Sequence, residues 1–551
     1  MINFSPTMMR LVAFLLLCAL PLFGQSNTGE LRLKVIDPAG AAVKTTVEVV
    51  SQANQYRNSL ATDDEGKLDL ERLPFGIYQV TITKEGFATA SESVEIRSSI
   101  PTDLAIQLKL TSLSEAVTVS AVNTLIDPDQ AGSVGQIGSA AIQDRVTSLP
   151  GRSIQDLVNS QPGWFYEGNA VLHPREAEYQ TQLIVDGIPL TDNRSPGFGP
   201  VIEADNVQSL TIYTAGFPAE YGRKMGGAVE VNTLQNPQPG FHGEAVLSGG
   251  SYDSADTFVQ GQYSWGKNTL GASASGGTTG HYLNPVVPQN FNNTATIGDF
   301  SAHYQRSLTA NDRLSLIIRH EFSRYDIPNE LVQQQAGQHE TADNVETMGI
   351  ASYQHTFSSN MVADFRGMVR DNANDFFSTP QSTPIIISQH NNFREGYFKG
   401  SLALSRGRHE WKVGVESDNL FLHENFGWLI TDPTQFDPST PMTFGFLGTH
   451  PDLEQAAFVQ DRIRLGNWTV SAGLRWDHYQ LLVNHNAVSP RFSISRYFPS
   501  AGLVLHFSYD RVFQTPSFEN ILLSSSTAAA GLDSSSVQLR VMPSEGNFFE
   551  A

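Results

Sequence analysis

The side chains best placed to do chemistry gather in two segments. "GWFYEGNAVLHPREAEY", residues 163–179, brings Trp164, Phe165, Tyr166, His173 and Arg175 close together. Flat rings stack on a ligand, while an imidazole and a guanidinium bond anionic or hydroxyl groups. Internal packing is the plainer use of the same residues. "FGWLITDPTQFDPSTPMTFGFLGTHPD" sets Trp428, Phe436, Phe444 and Phe446 beside Asp432 and Asp437. Aromatics with carboxylates suit sugar stacking and hydroxyl bonding, and equally suit loops that pack on each other. His339, His390 and His450 fall in different loops, and their spacing gives no chelate. No HExxH, Walker loop or GxSxG occurs. No nucleophile, metal set or paired carboxylates stand out, so the chain reads as a binder without cofactor or metal, not as an enzyme.

The elements that must position these residues are mainly β. The chain has 551 residues and a formal charge of −21, too long for one core and too acidic to attract a phosphate backbone; nucleic acid is set aside. Arg10 precedes a short apolar run from Leu11 to Phe23, and Gly24 follows, so residues 1–24 read as a secretory signal peptide. The single cysteine, Cys18, lies within it, which leaves a mature chain without disulfides or a thiol nucleophile. Beyond residue 24 no apolar run is long enough for a spanning helix, whereas strands of ~10 alternating residues could still cross a membrane.

Residues 25–110 alternate. "ELRLKVID" puts Leu31, Leu33 and Val35 on one face, and turn residues separate it from "TTVEVVS" and "YQVTITKEG". Short strands at this spacing predict a β-sandwich. The run from "GELRLKVIDPAGAAV" to "YQVTITKEGF" resembles the carboxypeptidase regulatory-like domain. That resemblance implies an Ig-like sandwich, sometimes associated with carbohydrate binding, and no peptidase activity.

Residues 111–135 read as a polar linker holding an extended segment, "EAVTVSA", able to add to a partner's sheet edge. In 136–235, "SAAIQDRV" and "SIQDLVNS" are short helical patterns, the second capped by Ser153. "YQTQLIVDGIPL" is a hairpin turning at Asp186-Gly187, and "VQSLTIYT" is a strand. "AGFPAEYGRKMGGAVEVNT" then crowds glycines before a final strand. The ordered set "LPGRSIQDLVNSQPG", "LIVDGIPL" and "SLTIYTAGFPAEYGRKMGGAVEVNT" resembles the plug of TonB-dependent outer-membrane receptors. The resemblance implies that the energy-coupling segment, the TonB box, is Glu115, Ala116, Val117, Thr118, Val119, Ser120 and Ala121. It implies that Gly222 turns the chain after Tyr221, that Gly226-Gly227 let backbones approach, and that "AVEVNT" leaves toward a barrel. It also implies that the plug loop around Trp164, Tyr166, His173 and Arg175 reaches an external vestibule. An Arg-Gly pair common before the DG turn is absent here, since Glu176 follows Arg175.

Residues 236–551 alternate apolar with ionisable faces: Leu314, Leu316, Ile318 and Phe322 oppose Ser315, Arg319 and Glu321, and Leu474 and Trp476 oppose Arg475 and Asp477. Lipid outside and water inside would explain this, as would the core of a soluble sandwich. About 13 or 14 strand-like segments follow residue 240, where the family closes its barrel with 22. An open barrel would leave unpaired backbone in lipid, so the segment reads as a partial barrel of a longer receptor. The fold expected is therefore a mainly β chain: Ig-like sandwich, small α/β plug, antiparallel transmembrane barrel. The family resemblance implies a receptor in the bacterial outer membrane, partnered by lipid and the inner-membrane TonB complex. It would import a small ligand, an oligosaccharide or a metal chelate. The alternative is a surface protein that binds glycans without transport.

Overall fold

A computed structural model of the chain describes residues 28–111, 127–167, 171–174, 181–190, 201–235, 238–518, 520–530 and 541–551. The segment 115–121, the leader and Arg175 lie outside the described residues.

The N-terminal strands are β1 (Thr28–Ile36), β2 (Thr46–Ser51), β3 (Tyr56–Ala61), β4 (Lys67–Pro74), β5 (Gly76–Ile82), β6 (Ala90–Ile96) and β7 (Thr102–Gln107). They form two sheets, in the orders β4-β1-β7 and β3-β2-β5-β6. Period-2 alternation sends Leu31, Leu33, Val35, Val47, Val49, Tyr78, Val80 and Ile82 into one apolar core between the sheets.

Residues 134–233 build a second unit: β8 (Val134–Ile137), α1 (Ser139–Gln143), α2 (Ser153–Asn159), β9 (Trp164–Glu167), β10 (Val171–Pro174), β11 (Gln182–Val185), β12 (Ile188–Leu190), β13 (Val207–Tyr213) and β14 (Ala228–Thr233). β9 and β10 pair with each other, and the remaining strands form one sheet in the order β12-β11-β14-β13-β8. "AVEVNT" is a strand, as expected, and the last element before the chain enters the wall at Gly240. It is the central strand β14, parallel to β11, antiparallel to β13, and buried along its whole length. With neighbours on both sides its backbone bonds are satisfied inside the plug. Ser153 does not cap α2; Arg152 holds that position, and Ser153 Oγ instead bonds Glu203 Oε2 at 2.8 Å and accepts from Ala204 N at 2.8 Å.

The remaining fourteen strands, from β15 (Gly240–Gly249) to β28 (Ser544–Glu550), pair in sequence order as one antiparallel wall. Among the described residues β15 and β28 are not bonded to each other. Wall side chains that touch the plug come from strands spread over 295–550, so the sheet wraps around it.

Burial in the wall is inverted relative to the sandwich. Ile318 is 58% exposed and Leu474 46%, whereas Arg319 and Arg475 beside them are 1% exposed. A soluble core would bury the apolar face. Only a lipid-facing exterior and a polar interior account for this pattern. Connections alternate in length, with tight turns such as Gly266-Lys267, Gly407-Arg408 and Gly466-Asn467 at one end. Trp265, Trp411 and Trp468 stand exposed at those turns, as an interfacial aromatic rim requires. Short turns mark the periplasmic end. Strands 385–406, 409–430 and 443–465 have 22, 22 and 23 residues, about twice what crossing a bilayer needs, so their far halves project beyond it.

Candidate functional site

The stretch that joins β13 to β14 is where the plug sits in the wall. Between Thr214 and Gly227 every residue but Gly216 is buried. The sharp turn expected at Gly222 is made at Arg223, whose φ is +69°, while Gly216 and Gly227 supply the positive-φ glycines of this stretch. Gly222 serves another need: a Cβ there would lie 2.4 Å from Nε of Arg475, so only glycine admits the wall guanidinium.

Two plug side chains carry the seat. Arg223 Nε lies 3.0 Å from Glu454 Oε2 and its Nη1 3.2 Å from Asp418 Oδ2, with Glu416 at 3.8 Å. Glu220 runs the opposite polarity, bonding Lys399 Nζ at 3.0 Å and also Lys412. Burial alone would raise the Glu220 carboxyl, but Lys412 and Lys399 hold it below the usual carboxylate range. Arg475 joins the two halves, donating to Glu416 Oε2 at 3.0 Å and to the Glu220 carbonyl at 2.7 Å. Backbone amides complete the contact: Gly216 N donates to Asp510 at 2.8 Å, Ala219 N to Gln460 at 2.6 Å and Met225 N to Gln514 at 3.1 Å. The arrangement is a dense exchange of charges and amide bonds between plug and wall.

The Asp186-Gly187 turn is a second anchor. Both residues take positive φ, 50° and 78°, as a two-residue hairpin of type I′ requires. Asp186 is buried and accepts from Thr233 N at 3.0 Å and from Arg72 of the sandwich at 2.6 Å. Burial would raise this carboxyl, but Arg72 and Thr233 keep it below its ordinary value.

The residues proposed to touch ligand scatter. Trp164 does not line a vestibule. Only 6% exposed, it packs in the plug core, with its indole N–H donating to Thr214 at 3.1 Å. A large ring in that core fills the space under Gly227. Phe165 pairs with His173 across the β9–β10 hairpin and is exposed; the side chain of Tyr166 lies outside the described residues, as does Arg175. Trp428, Phe444 and Phe446 are not in a loop. They sit on the projecting strands 409–430 and 443–465, where Trp428 stacks on Phe444 at 4.4 Å between centroids. His390 and His450 are likewise on strands, because alternation runs through segments that turn residues had marked as loops. Among the described residues no group of His, Cys, Asp or Glu is set to hold a metal ion. Sequence reading missed Glu220, Arg223, Lys399, Lys412, Glu416 and Glu454. The available signal was the inward face that alternation assigned to Arg475 and Asp477.

Residues 240–540 match the family described as TonB dependent receptor-like, beta-barrel. The chain belongs to the TonB-dependent receptor family. Residues 30–109 match the carboxypeptidase regulatory-like domain. The TonB-dependent transporter Oar of Myxococcus xanthus is 26% identical over 217 residues, which is 38% of this chain and 20% of Oar. The siderophore receptor PiuA of Acinetobacter baumannii superposes with a TM-score of 0.52 at 13% identity, over 71% of this chain and 66% of its own. The ferripyoverdine receptor of the outer membrane of Pseudomonas aeruginosa gives 0.56 at 12% identity, over 75% and 62%. These structural likenesses are likenesses of fold. The chain thus spans a fifth of Oar and just under two thirds of the solved receptors. Its location, with its family, is the outer membrane.

Proposed function

We propose that the chain is the receptor and gate of an energy-coupled importer. In this reading residues 25–110 cap the inner mouth, 111–135 link, 136–235 plug the lumen and 236–551 line it. The observation that carries it is the seat of Glu220 and Arg223, buried charges of opposite sign on one plug segment matched by opposite charges on the wall. A buried ion pair gains little over its hydrated state, because desolvation offsets most of the attraction. Such a joint holds the plug in register yet can part when water and force are supplied. The force would come from the inner-membrane TonB complex gripping Glu115–Ala121 by strand addition, a main-chain grip that tolerates pulling.

The ligand class is an oligosaccharide or a metal chelate. The projecting hairpin of Trp428 and Phe444 offers it a flat surface on the outer side. Deleting residues 115–121 should abolish uptake of whichever probe binds, from a panel of ferric chelates and oligosaccharides, and leave that binding unchanged. Uptake that survives the deletion overturns the importer reading.

A further inference from the structure

The N-terminal sandwich does not hang free of the plug. Its underside is fastened at three places. Arg72, held at φ +56°, reaches Asp186 in the plug turn at 2.6 Å, and Arg366 of the wall donates to the carbonyl of the same Asp186. On one flank, Arg313 at the start of wall strand 312–326 bonds Glu30 and Glu71 of the sandwich, each at 2.8 Å, and Gln305 bonds Glu71 as well. On another flank, Arg464 at the end of strand 443–465 bonds Glu95 of the sandwich and, at 2.8 Å, Asp129 in the later part of the linker. The plug also leans on the sandwich through its backbone. Ala140 N at the start of α1 donates to the Gln55 carbonyl at 3.1 Å, and Ser139 Oγ donates to the Arg57 carbonyl at 2.8 Å. An orphan amide of the plug's first helix is thus satisfied by the sandwich. Arg313 and Arg464 both stand at the short-turn end of the wall, so the sandwich lies across the inner mouth.

We propose that this sandwich is a latch on the plug, resting on the importer reading above and adding an order of events to it. The linker joins Leu110 of the sandwich to Asp127, so tension on 115–121 arrives first at the sandwich and at the Asp129–Arg464–Glu95 clamp. The DG turn cannot move inward while Arg72 holds Asp186 and the sandwich fills the path. Release therefore runs sandwich first, plug second, and the sandwich sets the tension at which the gate opens.

The test is single-molecule force spectroscopy on the full chain in lipid, pulling on an acceptor peptide inserted after Thr118. Two steps are expected, sandwich then plug. Arg72→Ala should shorten the lifetime of the first step at constant force by tenfold or more, and Arg72→Lys should restore part of it. Arg57→Cys with Ser139→Cys should, when oxidised, block the plug step until reductant is added. A plug that leaves before the sandwich, or with the crosslink intact, overturns the latch and leaves the importer reading standing. A sandwich that detaches while the plug never follows at any tension overturns both.

Discussion

Two interiors of this protein solve the same problem with opposite materials. Inside the sandwich, Leu31, Leu33, Val35, Val49, Val80 and Ile82 meet in a dry apolar core. Between plug and wall, Arg223, Glu220, Lys399, Glu416, Glu454 and Arg475 meet as buried charges, with apolar contact from Ile317, Met348, Ile350 and Met368 on another side. Burying apolar area yields about 25 cal/mol per Å² and is recovered only when the whole core stays shut. Burying matched charge yields little net free energy but penalises any mismatch heavily. The first material suits a body that must stay folded under load. The second suits a joint that must find one register and then let go.

Removing one partner is the harshest way to break that contrast. Arg223→Ala should cost the seat about 3–5 kcal/mol, because it removes the ion-pair partner of the buried Asp418 and Glu454 carboxyls and leaves them to be re-paired or neutralised away from water. Amide exchange over Val207–Thr233 should speed sharply while β1–β7 stay unchanged; unchanged exchange in the plug would mean the charges do not hold it. Leu33→Ala is the matching wound in the sandwich, worth about 2–5 kcal/mol through the cavity it leaves. Its effect should stay within residues 28–107 as read by exchange. Spread of that effect across the whole wall would mean the units share one core.

The contrast also explains what could be read before the structure. Alternation in "ELRLKVID" named the sandwich core directly, because one face of a half-buried strand must be apolar. Alternation in the wall named the two faces, but it could not say which one faced in; the exposure of Ile318 beside buried Arg319 decided that. The DG hairpin was legible because two positive-φ residues leave few alternatives to Asp-Gly. The seat was not legible. Arg223 finds its partners 193 to 231 residues away, at Glu416 and Glu454, and no local pattern encodes a pairing at that separation. The pairing of "AVEVNT" inside the plug sheet was not legible for the same reason, since its neighbour β11 joins it in parallel from 46 residues upstream.

A third wound is made by protons. Glu203 is buried in the plug, and burial together with Asp256 raises its carboxyl from 4.5 to about 7, outweighing the bonds it accepts from Gly151 N and Ser153 Oγ. A folded value above the unfolded one means the folded plug binds the proton more tightly. The stabilisation is therefore complete below about pH 4.5 and is lost as pH rises through about 7. At about 1.4 kcal/mol per unit the whole swing is bounded at roughly 3 kcal/mol. Glu203→Gln should flatten the dependence of plug exchange on pH across that window. A wild-type profile already flat there would show that Asp256 and the burial do not act on Glu203 as described.

The smallest effect sharpens the comparison most, because it keeps the chemistry and changes only the surroundings. Arg394 and Asp371 form an ion pair at 2.9 Å on the outward face of the wall, in the far half of strand 385–406 that projects beyond the bilayer, with side chains 81% and 57% exposed. It is closer than the pair of Arg223 with Asp418 at 3.2 Å, yet water competes for both partners. An exposed pair contributes ~0–1 kcal/mol, and each ion regains its hydration when the other is removed. Arg394→Ala should therefore leave exchange in the plug and the neighbouring wall strands within error of wild type. If it matched Arg223→Ala, distance alone would govern these pairs. The special standing of the seat, buried charge that is costly to mismatch and inexpensive to hydrate, would then be lost.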